Sequence, residues 1–346
     1  MAFEKANLNY AKEYSRALAQ AYPYTLYFGA LWSATKPDVK FLNNNTVILP
    51  SLTVKGRSNG DRDTIGSFAR NFNNAEETKT LKTHRTWNTL VHPRDIDETN
   101  HVASIQNITR VFNEEQKFPE MDAEMITALY ALKNAISAIT AGDVLTVSNI
   151  LTKFDAMMDT MDEARVPAAG RLLYCDTYTK TLIDTAKEAG RMLSATDTAI
   201  ARRLDRIGEV EVIGVPTTAM KSAYKFTDDG FEVQKDEYKA STDTSVVSGK
   251  TYYTKSGDVY TAVAEPTGNP STSSYYEKTV AAAEDVKMML VHPSAIIPVI
   301  AYDFAQLGAP STLSQGKWTY FEESFEDVFI YNKKHTAIQF YIEQSA

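Results

Sequence analysis

Leu8, Ala11, Tyr14, Leu18 and Tyr22 recur near helical spacing and predict an amphipathic helix over residues 3–22. Pro23 closes it, because proline cannot continue the backbone ladder. Asn43, Asn44 and Asn45 mark a turn. Residues 46–55 then read as a strand, with Val47, Ile48, Leu49, Leu52 and Val54 among threonines and serine. Pro50 interrupts it and restricts it to a sheet edge or a free ribbon. A polar tip runs from Gly56 to Asn74 and carries Arg57, Asp61, Arg62, Asp63 and Arg70. The return stretch, Glu77 to Trp87, is rich in threonine and polar on both faces. A strand with no apolar face cannot bury itself against its own core. The pair therefore predicts a two-stranded arm that projects from the body. Such an arm is barely stable alone and needs the support of another chain.

Residues 98–139 are predicted to be mostly helical. Val102, Ile105, Ile108 and Phe112 trace one stripe. Pro119 opens a second segment with Glu120, Asp122 and Glu124 in its first turn, where the helix dipole favours negative charge. Met121, Met125, Leu129, Leu132, Ile136 and Ile139 follow at helical spacing, and Gly142 is read as the stop. A third helix spans 147–164, with Ile150, Phe154, Met157, Met158 and Met161 as core filler on one face. A strand at 171–175, a helix at 177–190 and strands at 209–215, 286–292, 325–332 and 337–343 complete the pattern, which is α+β.

Residues 232–281 differ in composition, being rich in Ser, Thr, Tyr, Asp and Lys and poor in Leu and Ile. Residues 251–254 and 259–263 flank Lys255 to Asp258 as a hairpin with a four-residue turn. The segment reads as a small β-rich insertion on a surface loop.

Composition narrows the function. The chain has 346 residues, 43% of them hydrophobic, enough for a large core. Its net charge of -8 argues against a protein that grips nucleic acid in a sequence-specific way. The one cysteine, Cys175, lies in an apolar run and reads as a buried core residue. The N-terminus lacks the apolar stretch of a signal peptide, and no segment is long and apolar enough to span a membrane.

Candidate chemistry fails on spacing. Ser248 to Thr251 resembles the end of a phosphate-binding loop, but Thr244 stands where the first glycine belongs and a strand follows instead of a helix. The cluster of His92, Asp95, Asp97, Glu98 and His101 contains a Glu-x-x-His pair, yet lacks the second half of a carboxylate-bridged metal site. Its acidic members are read as helix-capping and ion-pairing groups, and neither a cofactor nor a metal is expected.

The order of the parts resembles the major capsid proteins of tailed phages, the Hong Kong 97-type fold, in the group that infects Gram-positive bacteria. The resemblance rests on motifs in series. Thr46-Val-Ile-Leu-Pro-Ser51 and the tip Gly56 to Arg62 are similar to the start of that family's E-loop. Asp95 to Asn100 with His101-Val102-Ala103 is similar to the acidic motif after it. Phe118-Pro-Glu-Met-Asp122, Val166 to Tyr174, Val212-Ile-Gly-Val-Pro216, Leu290 to Ala295 and Phe325 to Lys333 follow in the family's order. The resemblance implies an N-terminal arm (1–44), an E-loop (45–92), a peripheral domain with a spine helix (93–142 and 317–346) and an axial domain (143–231 and 282–316). Residues 232–281 interrupt the axial domain without a fixed counterpart.

It further implies pentamers and hexamers of the same chain, assembled in the host bacterial cytoplasm into an icosahedral virion capsid around double-stranded DNA held without sequence specificity. Portal and a separate scaffolding protein are the expected assembly partners, and no membrane is involved. Arg57, Asp61, Arg62, Asp63 and Arg70 would form intersubunit contacts. Lys55, Lys79 and Lys82 are not singled out as crosslinking residues. The competing expectations are an encapsulin-like cellular nanocompartment, a metal-dependent enzyme built on Asp97, Glu98 and His101, and a carbohydrate-binding module using Tyr252, Tyr253, Tyr260, Tyr275 and Tyr276.

Overall fold

The computed structural model describes residues 24–33, 40–43, 46–57, 70–98, 104–192, 206–207, 210–248, 250–263, 266–267, 270–271 and 275–344. The helix expected over 3–22 lies outside them. In chain order come α1 (Gly29–Trp32), β1 (Lys40–Asn43), β2 (Thr46–Val54), β3 (Phe72–Thr80), β4 (Thr83–Val91), α2 (Pro93–Glu98) and α3 (Ile105–Phe112). A π-helical stretch, Asn113–Lys117, precedes α4 (Phe118–Ile136). Next are α5 (Ile150–Glu163), β5 (Leu172–Asp176), α6 (Thr177–Met192), β6 (Arg206–Ile207), β7 (Val210–Val215), β8 (Tyr224–Thr227) and β9 (Gly230–Val233). The inserted strands are β10 (Glu237–Ala240), β11 (Tyr252–Ser256), β12 (Val259–Val263) and β13 (Tyr276–Val280). The chain closes with β14 (Val286–Val291), β15 (Ile296–Gly308), β16 (Trp318–Ile330) and β17 (Ile338–Ile342).

The chain forms two compact units. The first comprises the described residues of Gly29–Glu115 and Ile296–Tyr331. It holds two three-stranded sheets, β1-β2-β3 and β15-β16-β4. Val47, Leu49 and Leu81 pack on Ile297, Val299 and Phe329 to form its small core. Trp87 of β4 stacks on Phe112 of α3, with ring centroids 3.9 Å apart.

The second unit comprises Tyr24–Phe28, Gln116–Ala295 and the segment from Asn332 onward. Its five-stranded sheet has the order β17-β14-β5-β7-β6. β5 and β7 run parallel and are joined through α6, while the other pairs are antiparallel. Leu173, Cys175, Met288 and Leu290 point to one side, where Ile150, Phe154 and Met161 of α5 and Ile183 of α6 cover them. Tyr174, Met289 and Phe340 share the other side, where Tyr130 of α4 meets Phe340 edge-on at 5.3 Å. β14 is thus buried on both faces, which accounts for its unbroken apolar run.

Four expectations are corrected. The return strand of the arm is two strands: β3 pairs with β2, whereas β4 leaves the ribbon and joins β16. The break falls at Leu81, a core residue in a stretch otherwise read as polar. The strand expected at 325–332 begins at Trp318 and pairs along its length with β15, an element not anticipated. Pro298 hides β15, and it is tolerated because β15 is an edge strand. The helix expected from residue 98 starts at Ile105, capped by Ser104, whose Oγ accepts from Asn107 N–H at 3.4 Å. Gly142 does not stop α4, which ends at Ile136; a Cβ there would collide with the ring of Tyr341.

Candidate intersubunit surface

The β2–β3 ribbon runs in continuous register from Thr46 opposite Thr80 to Val54 opposite Phe72. Lys55 N–H continues the ladder to the Asn71 carbonyl at 2.8 Å. Its root is anchored: Val47 and Leu49 are buried on one face. Side chains alternate along a strand, so Leu52 and Val54 lie on the opposite face, and register places Phe72 beside Val54. These three residues are 61%, 66% and 50% exposed. Among the described residues, β1 pairs with β2 only over Thr46 to Ile48, short of Pro50.

The arm is therefore not polar on both faces. Its outer half carries an apolar patch, which the alternation of Leu52 and Val54 could have revealed had Phe72 been placed opposite them. The rim is basic. Arg70 is exposed, with its guanidinium 4.9 Å from the Phe72 ring, and Arg57 is exposed just beyond β2. Asp61, Arg62 and Asp63 lie outside the described residues.

A second apolar surface occupies one face of the β15-β16-β4 sheet. Register places Leu90 of β4, Phe321 of β16 and Phe304 of β15 on that face. They are 60%, 37% and 37% exposed. Farther along the same face, His84 stacks on Phe325 at 4.0 Å and lies 2.8 Å from Glu323.

The other sequence candidates do not converge. Among the described residues no group of three or more His, Cys, Asp or Glu is placed to hold a metal. Asp97 and Glu98 are exposed, Arg94 forms an ion pair with Glu98, and His101 lies outside the described residues. Burial pushes the Cys175 thiol up to about 12, the opposite of an activated nucleophile.

Lys250, from the stretch that resembles a phosphate loop, is held by carboxylates, with its Nζ 2.7 Å from Asp243 and 2.8 Å from Glu277. The inserted tyrosines pack mainly on one another. Tyr238 stacks on Tyr260 at 4.0 Å and meets Tyr253 edge-on at 4.9 Å, while Tyr276 lies 5.2 Å from Tyr260. Tyr252 is fully buried, with Tyr275 at 6.0 Å. The hairpin turn is tighter than expected. Ser256 pairs with Val259 across Gly257 and Asp258, and Gly257 takes a left-handed φ of 61°.

No family model matches the sequence, and no curated protein is similar to it. Solved structures are similar over almost the whole chain. One described as the capsid of cyanophage P-SCSP1u aligns with a TM-score of 0.61 and 10% identity, covering 97% of this chain and 94% of that one. The mature capsid of bacteriophage PhiM1 gives a TM-score of 0.61, 12% identity and coverage of 97% and 92%. A structure from Mycobacterium phage Che8 gives 0.55, 10%, and coverage of 97% and 98%. At such identity the likeness is one of backbone: the chain has the α+β, Hong Kong 97-type fold of tailed-phage capsid structures.

Proposed function

We propose that this chain is the major capsid protein of a tailed phage, which self-assembles into pentamers and hexamers of an icosahedral shell around double-stranded DNA. The carrying observation is the ribbon with a buried root and an apolar outer half, where Leu52, Val54 and Phe72 stay open to solvent. Apolar surface left in water carries a free-energy cost of roughly 25 cal/mol per Å² that burial against a neighbour removes. A surface repeated in every subunit of a closed assembly recovers that cost at each contact. In this reading the patch seats on a sister subunit, and Arg57, Asp61, Arg62, Asp63 and Arg70 form the charged rim of the contact. The likeness in fold to phage capsids supports the same conclusion.

The role is structural and not enzymatic. Its setting is the virion, after assembly in the bacterial cytoplasm with portal and scaffolding partners, and residues 1–44, 45–92 and the peripheral and axial segments divide the labour as the resemblance implies. Electron microscopy of the purified full chain tests this. Pentameric and hexameric rings or polyhedral shells are expected, and a monodisperse monomer across salt and pH overturns the proposal. An encapsulin-like nanocompartment shares the fold, and shells isolated with protein cargo and no DNA would favour it instead.

A further inference from the structure

β12 is an edge strand. In the inserted sheet, ordered β10-β13-β11-β12, its one partner among the described residues is β11. The pairing is regular from Ser256 opposite Val259 to Tyr252 opposite Val263. A two-residue hairpin closes on a mutually bonded pair, and bonding then alternates along the antiparallel ladder. Val259, Thr261 and Val263 therefore direct their backbone groups at β11. The N–H and C=O groups of Tyr260 and Ala262 point away from the sheet.

The two edges of this sheet differ. Edge strands are usually shielded by charge, by proline or by a bulge. β10 is shielded: Glu237 and Lys239 lie on it, and its register shifts between Glu237 and Tyr238. β12 has no such device. Val259-Tyr-Thr-Ala-Val263 is uncharged, free of proline and rich in strand-forming residues. Thr261 and Ala262 are exposed, and Val259 is 64% exposed.

The strand also has nearly the same character read in either direction. Laid antiparallel on a copy of itself with Thr261 on the two-fold axis, it sets Tyr260 beside Ala262 and Val259 beside Val263. Large then faces small on one side of the sheet, valine meets valine on the other, and no like charges oppose each other. The same register brings the outward N–H and C=O of Tyr260 against those of Ala262 in the other copy, so each donor finds an acceptor.

We propose that β12 pairs antiparallel with β12 of a second copy of this chain, joining two inserted sheets into one across a two-fold axis. The contact lies within the insertion and needs only two copies, so it and the shell reading can fail independently.

Thr261→Cys in the full chain tests it. The axis sets residue 261 against its own counterpart at a Cα separation of about 4.5 Å, within disulfide range. Cys175 is buried and does not compete. Under air oxidation, followed by intact mass and non-reducing electrophoresis, Thr261→Cys is expected to form a linked dimer about tenfold faster than Val259→Cys, whose neighbour across the pair is Val263. Val259→Cys combined with Val263→Cys should regain the fast rate. Ala262→Pro added to Thr261→Cys removes an outward N–H while leaving the bonds to β11, and should slow the dimer to the Val259→Cys rate. Equal rates for Thr261→Cys and Val259→Cys overturn the proposal, as does a fast rate that Ala262→Pro leaves unchanged. Amides of Tyr260 and Ala262 that are protected from exchange in a monomer would mean that the edge is covered from within the chain, and overturn it too.

Discussion

Val54 and Phe72 face each other across the outer end of the ribbon, and both remain half exposed or more. Both lie outside the buried root of the ribbon, so replacing them should change stability little and alter association. The double substitution Val54→Asp with Phe72→Lys sets opposite charges across the pair and is expected to change unfolding free energy by no more than about 0.5 kcal/mol, as exposed substitutions do. Shell or ring formation should be lost. Leu49→Ala, at the buried root, is expected to cost ~2–4 kcal/mol instead. Denaturant unfolding and electron microscopy of the two variants separate the effects, and assembly of the double variant at normal yield contradicts this role.

Much of the fold was legible because its strongest elements bury one clear stripe. Ile150, Phe154, Met157 and Met161 recur at helical spacing because one side of α5 faces the sheet. The unbroken run Val286–Val291 reads as a strand because both of its faces are covered. What escaped the reading depended on partners distant in sequence. β15 carries Pro298, and the front of β16, ahead of the expected 325–332, mixes carboxylates with aromatics, so neither shows a clean apolar face until they are paired. The candidate surface was half legible for the same reason: Leu52 and Val54 are neighbours on one strand, but only register brings Phe72 to them. The hydrogen bonds on the buried Asp122, from the Tyr24 hydroxyl and from the N–H groups of Tyr27 and Phe28, were not legible at all, since they span nearly a hundred positions and two of the three donors are backbone groups.

Arg171 is fully buried and ties down the turn before β5. Its guanidinium donates to the carbonyls of Val166 and Pro167, at 2.6 and 3.0 Å, and to Asp162 at 2.5 Å. The Asp162 side chain is 59% exposed and Pro167 is exposed too, so both can rehydrate, and the larger loss on removal falls on the half-buried Val166 carbonyl and on the packing of the guanidinium stem. Arg171→Met should cost ~2–3 kcal/mol in denaturant unfolding. Arg171→Lys should recover only part of this, because a single ammonium lacks the forked geometry. A lysine variant as stable as the parent argues against the fork.

The inserted sheet begins and ends side by side, with Glu237 paired to Val280. Residues 238–279 can then be replaced by a glycine linker of two or three residues without stretching the chain. The β8–β9 hairpin and the bond from Ala283 N–H to the Gln234 carbonyl remain to hold the junction. The excised protein is expected to fold with its thermal midpoint lowered by no more than a few degrees. A broad, non-cooperative unfolding transition counts against an insertion that is structurally separable.

Acid should loosen that sheet before the rest of its unit. Side-chain hydrogen bonds from Lys250 hold the Asp243 and Glu277 carboxyls below their usual range. A depressed folded value means that the contribution is present above the ordinary carboxylate range near ~4 and disappears as pH falls through the lowered values. Amide exchange in peptides covering 241–280 is expected to accelerate on acidification below about pH 4 relative to peptides from β14, once intrinsic rates are removed. Lys250→Met should shrink the acid step, because the cation is lost and only the bonds from Tyr252 to Asp243 and from Ser241 to Glu277 remain to favour the ionised carboxyls.

Cys175 gives the sharpest test of a purely structural core. It lies on β5 with no exposed surface, packed among Leu173, Met288 and the residues of α5 and α6. Its Sγ lies 3.7 Å from the Ile213 carbonyl as a weak donor. With the thiol pushed up to about 12 by burial, almost none of it is thiolate at neutral pH, and the reagent has no path to the sulfur. Iodoacetamide is expected to leave the folded chain unmodified near pH 8 and to alkylate it fully in denaturant, as read by intact mass. Rapid modification of the native protein would mean that the α5–α6 layer opens over the sheet far more often than a close-packed core does.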